Sequence, residues 1–303
     1  MASISTSVPR CSEPAAESVR PARGGRRAGR VPGLCGLLVL LVTPAAAVAK
    51  PASVVSVAVA PASPAATDGG EDSHRSAACR GTVYLTLDTG NMRDAELIAS
   101  ILQRRHVHAT FFLANERTVR GDYALGDSWR AWWRARVEEG HAFGSHTMDH
   151  VYFLGMRGEK VRVRPQFGER AGQVRLWDAA EVCTAIGSVD ARFRELTGRG
   201  LDRLWRAPGG RYPDAVGRMA SGCGWTHVPW TPAGFLGDEL SSERYPNARL
   251  LAQQLASIRD GDVLLAHLGI WSRHDPYAPM LDPLIAGLQA RGLCFATISE
   301  RRP

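Results

Sequence analysis

Lysine is almost absent from this sequence. Of 37 basic residues in 303, two are Lys (Lys50 and Lys160) and the other 35 are Arg. That skew reads as a compositional bias toward Arg. An Arg-rich stretch is therefore weak grounds for a binding surface, and the formal charge of +7 does not argue for a nucleic-acid partner. The longest apolar run, residues 31–43, falls short of the about 20 residues that cross a bilayer. No nucleotide fingerprint, nucleophile elbow or DNA-reading module is present, and the Cys spacings match no zinc finger. With 45% hydrophobic residues, the chain is neither disordered nor collagen-like.

The N-terminus is organised for export. Arg10, Arg20, Arg23, Arg26, Arg27 and Arg30 precede the short apolar run, and Ala47-Val48-Ala49 follows as a small-residue cleavage pattern. Together they predict a signal peptide over residues 1–49 and a periplasmic or secreted product, tied to a membrane only if the signal stays uncleaved. Cleavage removes six Arg and two Glu, leaving 37 − 6 = 31 bases and 30 − 2 = 28 acids, a net charge of +3. Cys79, Cys183, Cys223 and Cys294 remain, and they can form two disulfides in three connectivities. Residues 50–80, rich in Ala, Pro, Ser and Val, predict a flexible linker before a domain over residues 81–303.

From Gly81 strand-like and helix-like segments alternate. Strands are predicted over residues 83–87, 109–113, 141–145, 203–206, 225–230, 263–266 and 294–298. Helices are predicted over residues 94–105, 128–139, 178–196, 213–220, 248–259 and 283–290. This alternation implies an α/β fold, a distorted (β/α) barrel of about seven parallel strands, with chemistry at the C-terminal strand ends. Asp88, His146, His150, Arg206 and His267 all fall at such ends.

Four short motifs appear in order: Thr86-Leu87-Asp88-Thr89, His146-Thr147-Met148-Asp149-His150, Arg206-Ala207-Pro208-Gly209-Gly210 and Leu265-Ala266-His267. They resemble those of the polysaccharide deacetylases, the NodB-homology domain of carbohydrate esterase family 4. The resemblance spans residues 81–300. It implies a metal-assisted hydrolase that removes N-acetyl groups from amino sugars of a cell-wall or extracellular polysaccharide, which would be its partner. In that reading Asp88 is the general base, Arg206 orients it, and His267 protonates the departing amine. The backbone N–H of Gly209 would stabilise the oxyanion, and His146 and His150 would hold a divalent metal, Zn²⁺ being the expected ion. Spaced four apart, the two His would share a face of one helical turn. Trp271 and Tyr212 are the expected sugar-stacking residues, and Trp132, Trp133, Trp205 and Trp225 are expected to pack inside.

The sequence also departs from the family pattern. Thr89 stands where the family has a second Asp, a metal ligand, so the expected site is weakened, with Thr89 or Asp149 as the third ligand. Ala233 stands where an Asp would tune the acid His, leaving Asp238 or Asp275 as its replacement. Residues 151–176 form an irregular basic segment that could reach an anionic glycan. Two other readings remain open: a non-catalytic glycan-binding protein on a decayed deacetylase frame, and a deacylase or deformylase for another amide.

Overall fold

A computed structural model describes residues 79–301. The predicted signal (1–49) and nearly all of the predicted linker (50–80) lie outside the described residues. Strand β1 (Gly81–Asp88) buries Val83, Leu85 and Leu87 together with Thr86 and Asp88. Burial on both faces marks a strand inside a parallel sheet. Helix α1 (Ala95–Arg105) buries Ile98, Ile101 and Leu102 along one stripe. Strand β2 (Thr110–Leu113), helix α2 (Arg130–Glu138) and strand β3 (Ala142–Ser145) repeat the unit. An insertion of β4 (Tyr152–Arg157), β5 (Lys160–Arg164) and β6 (Arg175–Trp177) follows. Next come α3 (Ala179–Thr197), β7 (Leu204–Trp205), α4 (Asp214–Gly222) and β8 (Thr226–His227). The chain continues through α5 (Asn247–Ser257), β9 (Val263–His267), α6 (Leu281–Ala290) and β10 (Leu293–Phe295).

Seven of these strands form one sheet in the order β10-β1-β2-β3-β7-β8, with β9 also paired to β1. Every pairing in it is parallel, and the sheet curls into the distorted barrel expected from the alternation. β1 is its axis. Residues Gly81 to Val83 pair with β10, and Tyr84 to Asp88 pair with β9. The strand expected over 225–230 is shorter, because only Thr226 and His227 pair. Inside, Phe111 stacks on Phe143 at 5.7 Å, and Trp133 and Phe193 close on Phe143. Trp132, Trp133, Trp205 and Trp225 are buried as expected.

The basic segment is not irregular. β4, β5 and β6 form a three-stranded antiparallel sheet. Val161 and Val163 are buried and alternate with Lys160, Arg162 and Arg164, the period of a half-buried strand. The abundance of Arg hides that pattern in a sequence where charge means little.

Two disulfides select one of the three connectivities. Cys79–Cys294 joins the start of the domain to β10, and Cys183–Cys223 joins α3 to the end of α4, with Cα separations of 5.6 and 6.2 Å. No helix among the described residues is long and apolar enough to cross a membrane. Removing a native disulfide costs about 2–5 kcal/mol, largely by freeing the unfolded chain. Replacing Cys79 and Cys294 by Ser should therefore lower the thermal midpoint by roughly 5–10 °C. Scanning calorimetry checks this, and a shift below about 2 °C would count against a stabilising bridge.

Candidate active site

Parallel register builds the site. Asp88 ends β1 opposite His267, the last residue of β9. Ser145 of β3 pairs with Trp205 of β7, so the next residues, His146 and Arg206, are also neighbours. Four strand ends thus bring Asp88, His146, Arg206 and His267 to one rim.

Asp88 is buried, with Oδ1 receiving Arg206 Nη1 at 2.9 Å and Oδ2 facing His146 Nε2 at 3.4 Å. Burial by itself would raise its pKa. The charge of Arg206, with that of His267, outweighs burial and holds the carboxyl below its ordinary range. Arg206 is fully buried; its Nε donates to the Val228 carbonyl at 3.0 Å and its guanidinium lies 4.2 Å from the Phe112 ring centroid.

His146 Nδ1 lies 3.0 Å from the Arg206 carbonyl. A carbonyl only accepts, so Nδ1 carries the proton and Nε2 keeps its lone pair. Burial pushes the ring's pKa down to about 3, so it is neutral near pH 7. Nε2 and Asp88 Oδ2 are then two acceptors side by side, an arrangement suited to a water that donates to both.

His267 is set the opposite way. Its Nδ1 lies 3.1 Å from Asp238 Oδ2, and its backbone N–H donates to the same oxygen at 2.7 Å. Burial disfavours the imidazolium, but Asp238, then Asp88 and Glu239, outweigh it and lift the pKa to about 10. Of the two carboxylates left open by the sequence, the structure brings Asp238 to His267. Asp275 instead receives Asn247 Nδ2 at 2.9 Å at the surface.

His146 and His150 do not share a helical turn. They bracket a loop in which Thr147 and His150 take left-handed φ of 62° and 47°. The Ser145 and Thr147 hydroxyls accept from the N–H groups of Thr147 and Val151, capturing donors that a helix would use. The rings still meet, with centroids 4.9 Å apart, and His150 Nδ1 is buried without a partner.

Neither expected third ligand joins them. Thr89 donates to Glu116 Oε1 at 2.8 Å and accepts the Ala114 N–H at 3.1 Å, so its hydroxyl is spent on a stronger acceptor. The Asp149 carboxylate lies against Gly168 and lines a groove shared with Met148, Arg170 and Glu181. Among the described residues no three His, Cys, Asp or Glu side chains converge closely enough to hold a metal ion. The donor set does not fit a three-residue zinc site. Of the four residues expected to hold a metal, only His146 and His150 meet.

Glu116, which also accepts the Gly90 N–H at 2.9 Å, was missed in the sequence. Its one signal was an acidic residue just past the end of β2. Gly209 follows Arg206 and Pro208 at φ 66°, where an added Cβ would lie 3.2 Å from the Tyr152 ring. Trp271 is 57% exposed and free to meet a ligand. Tyr212, the other expected sugar contact, is instead packed against Trp205 and His227, with centroids at 5.4 and 4.4 Å. Tyr152 is one of the aromatic rings beside the site, 5.4 Å from the His150 ring, and nothing in its sequence context singles it out.

Comparison with known proteins places this geometry. The sequence profile of the family described as polysaccharide deacetylase matches residues 75–228. A peptidoglycan-N-acetylglucosamine deacetylase of Bacillus cereus is 24% identical over 207 residues, covering 67% of this chain and 79% of the relative. A chitooligosaccharide deacetylase of Azorhizobium caulinodans is 26% identical over 225 residues, covering 71% and 91%. Among solved structures, a CE4 family pseudoenzyme from Bacillus anthracis shares the fold at a TM-score of 0.53 and 19% identity, over 73% of this chain and 64% of that one. This chain thus spans less than two thirds of the pseudoenzyme's length. With the profile matched over half its length and the motif residues gathered on one rim, the chain belongs to the polysaccharide deacetylase family.

Proposed function

We propose that this protein hydrolyses the N-acetyl group of amino-sugar units in an exported or cell-wall polysaccharide. The observation that carries the reading is the opposed pair of ionised groups on the rim. Asp88 is held as a carboxylate beside a neutral His146, and His267 is held as an imidazolium by Asp238. In the proposed reaction a water held by Asp88 and His146 gives its proton to Asp88 as its oxygen attacks the acetyl carbon. The oxyanion forms near the backbone N–H of Gly209. His267 then protonates the nitrogen as the C–N bond breaks, releasing acetate and a free amine. Trp271 is the proposed sugar-stacking residue. Two disulfides and acetylated-glycan relatives favour an exported protein, in an oxidising compartment.

One observation favours a second reading. The spent Thr89 hydroxyl leaves no third metal ligand, as a glycan-binding protein on a decayed frame would allow. Acetate release from chitin oligomers and peptidoglycan separates the two. The deacetylase reading expects turnover that Asp88→Asn lowers by at least about a hundredfold. Glycan binding with no acetate from either substrate would refute it.

The raised pKa of His267 sets an alkaline limit. The protonated acid is required, so kcat/KM should fall as pH rises through about 10. The same shift contributes folding stability that is complete below the ordinary His value of about 6.5 and is lost as pH climbs through the folded value. Asp238→Asn should move the alkaline limb toward neutrality while leaving substrate KM nearly unchanged. An unmoved limb would remove Asp238 from this role.

We further propose that any divalent ion rests on His146 and His150 alone among the side chains. Thr89→Asp by itself would set a second carboxylate against Glu116, and the two would share a proton. Zinc affinity, measured by calorimetry, should therefore rise more in Thr89→Asp/Glu116→Gln than in Thr89→Asp. Equal affinities in the two variants would contradict this.

A further inference from the structure

The antiparallel sheet turns Phe153, Val161 and Val163 inward, where all three are buried. Its register puts Tyr152 beside Arg164, Arg162 beside both Gly155 and Leu176, and Arg157 beside Lys160. These residues share the outer face. At its rim, Arg157, Arg162 and Arg175 line a shallow groove of ≈ 390 Å³ with Val174 and Leu176. Val174 is 54% exposed and Leu176 38%.

Arg without an acidic partner occur elsewhere among the described residues too, Arg203 and Arg218 included; what this sheet adds is three of them around one groove. Elsewhere Arg105, Arg136, Arg192 and Arg199 pair with Asp282, Glu139, Glu195 and Asp202 at 2.8, 2.6, 2.8 and 2.9 Å. On this sheet the one ion pair among the described residues is Lys160–Asp178, at 4.0 Å. Arg164 and Arg175 each bury an Nε with no hydrogen-bond partner. Guanidinium groups gathered around one groove without counter-charge repel each other, and a bound anion relieves that repulsion.

The strip is also continuous with the site. Tyr152, at its inner end, touches both the His150 ring and the Gly209 turn. Arg157 lies five residues further along β4, about 17 Å away in an extended strand. A lipid surface would need no such connection to the rim, whereas a polymer with one sugar at Asp88 must continue over neighbouring surface. We infer that the substrate is an anionic polysaccharide, whose carboxylate-bearing units lie on the Arg157–Arg162–Arg175 groove while an acetylated unit occupies the Asp88 rim. This rests on the deacetylase reading and narrows its substrate class.

The test uses the full chain as Asp88→Asn, so that binding is read without turnover. Affinity is measured by calorimetry for a neutral N-acetylglucosamine hexamer and for a hexamer alternating N-acetylglucosamine with glucuronate. The charged hexamer should bind at least about tenfold more tightly, and its advantage should fade as salt shortens the Debye length from about 10 to about 3 Å. Arg157→Gln/Arg162→Gln should abolish the preference and leave the neutral hexamer's affinity unchanged, while Arg157→Lys/Arg162→Lys retains part of it. Equal binding of the two hexamers, or equal losses on both, overturns the inference. Tighter binding to phosphatidylglycerol vesicles than to either glycan also overturns it. Arg-dependent preference for the charged hexamer, alongside no acetate release by the wild type from any glycan, refutes deacetylation and still supports an anionic-glycan groove.

Discussion

The rim depends on one buried ion pair. Asp88 and Arg206 lie almost entirely out of water, and neither charge could be left there alone. Breaking such a pair by removing one partner typically costs about 3–5 kcal/mol, because the survivor stays buried and uncompensated. The requirement reaches well beyond two residues. Arg206 also bonds the Val228 carbonyl and stacks over Phe112, and its own carbonyl takes the proton of His146. Segments from β1, β2, β3, β7 and the chain after β8 are thus fixed around one guanidinium.

The site is a pair of ion pairs with a neutral ring between them. Asp88 is matched by Arg206 and Asp238 by His267, so each charge has its partner within the protein. Among the described residues no third His, Cys, Asp or Glu side chain converges with His146 and His150 to complete a cation site. The closest substitute for the family's second Asp, Glu116, is occupied by the Thr89 hydroxyl and the Gly90 N–H. Thr89 is therefore half of a two-residue rearrangement, and its partner lies 27 positions away in the chain.

The strand-end residues were legible because β-strand ends and short motifs are local properties. Asp88, His146, Arg206 and His267 each stand at the end of a short strand segment, within or next to one of the four motifs. The partner of His267 is legible only as a choice between Asp238 and Asp275, since Asp238 reaches it across 29 residues of loop and helix. A spacing of four suggests one helical turn for the His pair; Ser145 and Thr147 override it through local hydroxyl bonds. Tyr212, expected beside Trp271 as a sugar contact, lies near the Arg206 motif in sequence, and nothing in the sequence singles out Tyr152. In the structure Trp205 and His227 hold Tyr212, and the antiparallel insertion carries Tyr152 back to the rim.

The Cys79–Cys294 bridge has a mechanical consequence. Whatever precedes residue 79 joins the domain at the starting edge of β1, the end of that strand remote from Asp88. Tension along the chain from that side passes through the disulfide into β10, instead of peeling β1 from its neighbours one hydrogen bond at a time. The strand that carries the reactive carboxylate is shielded from a pull on its own upstream chain, and the rim stays in register under load.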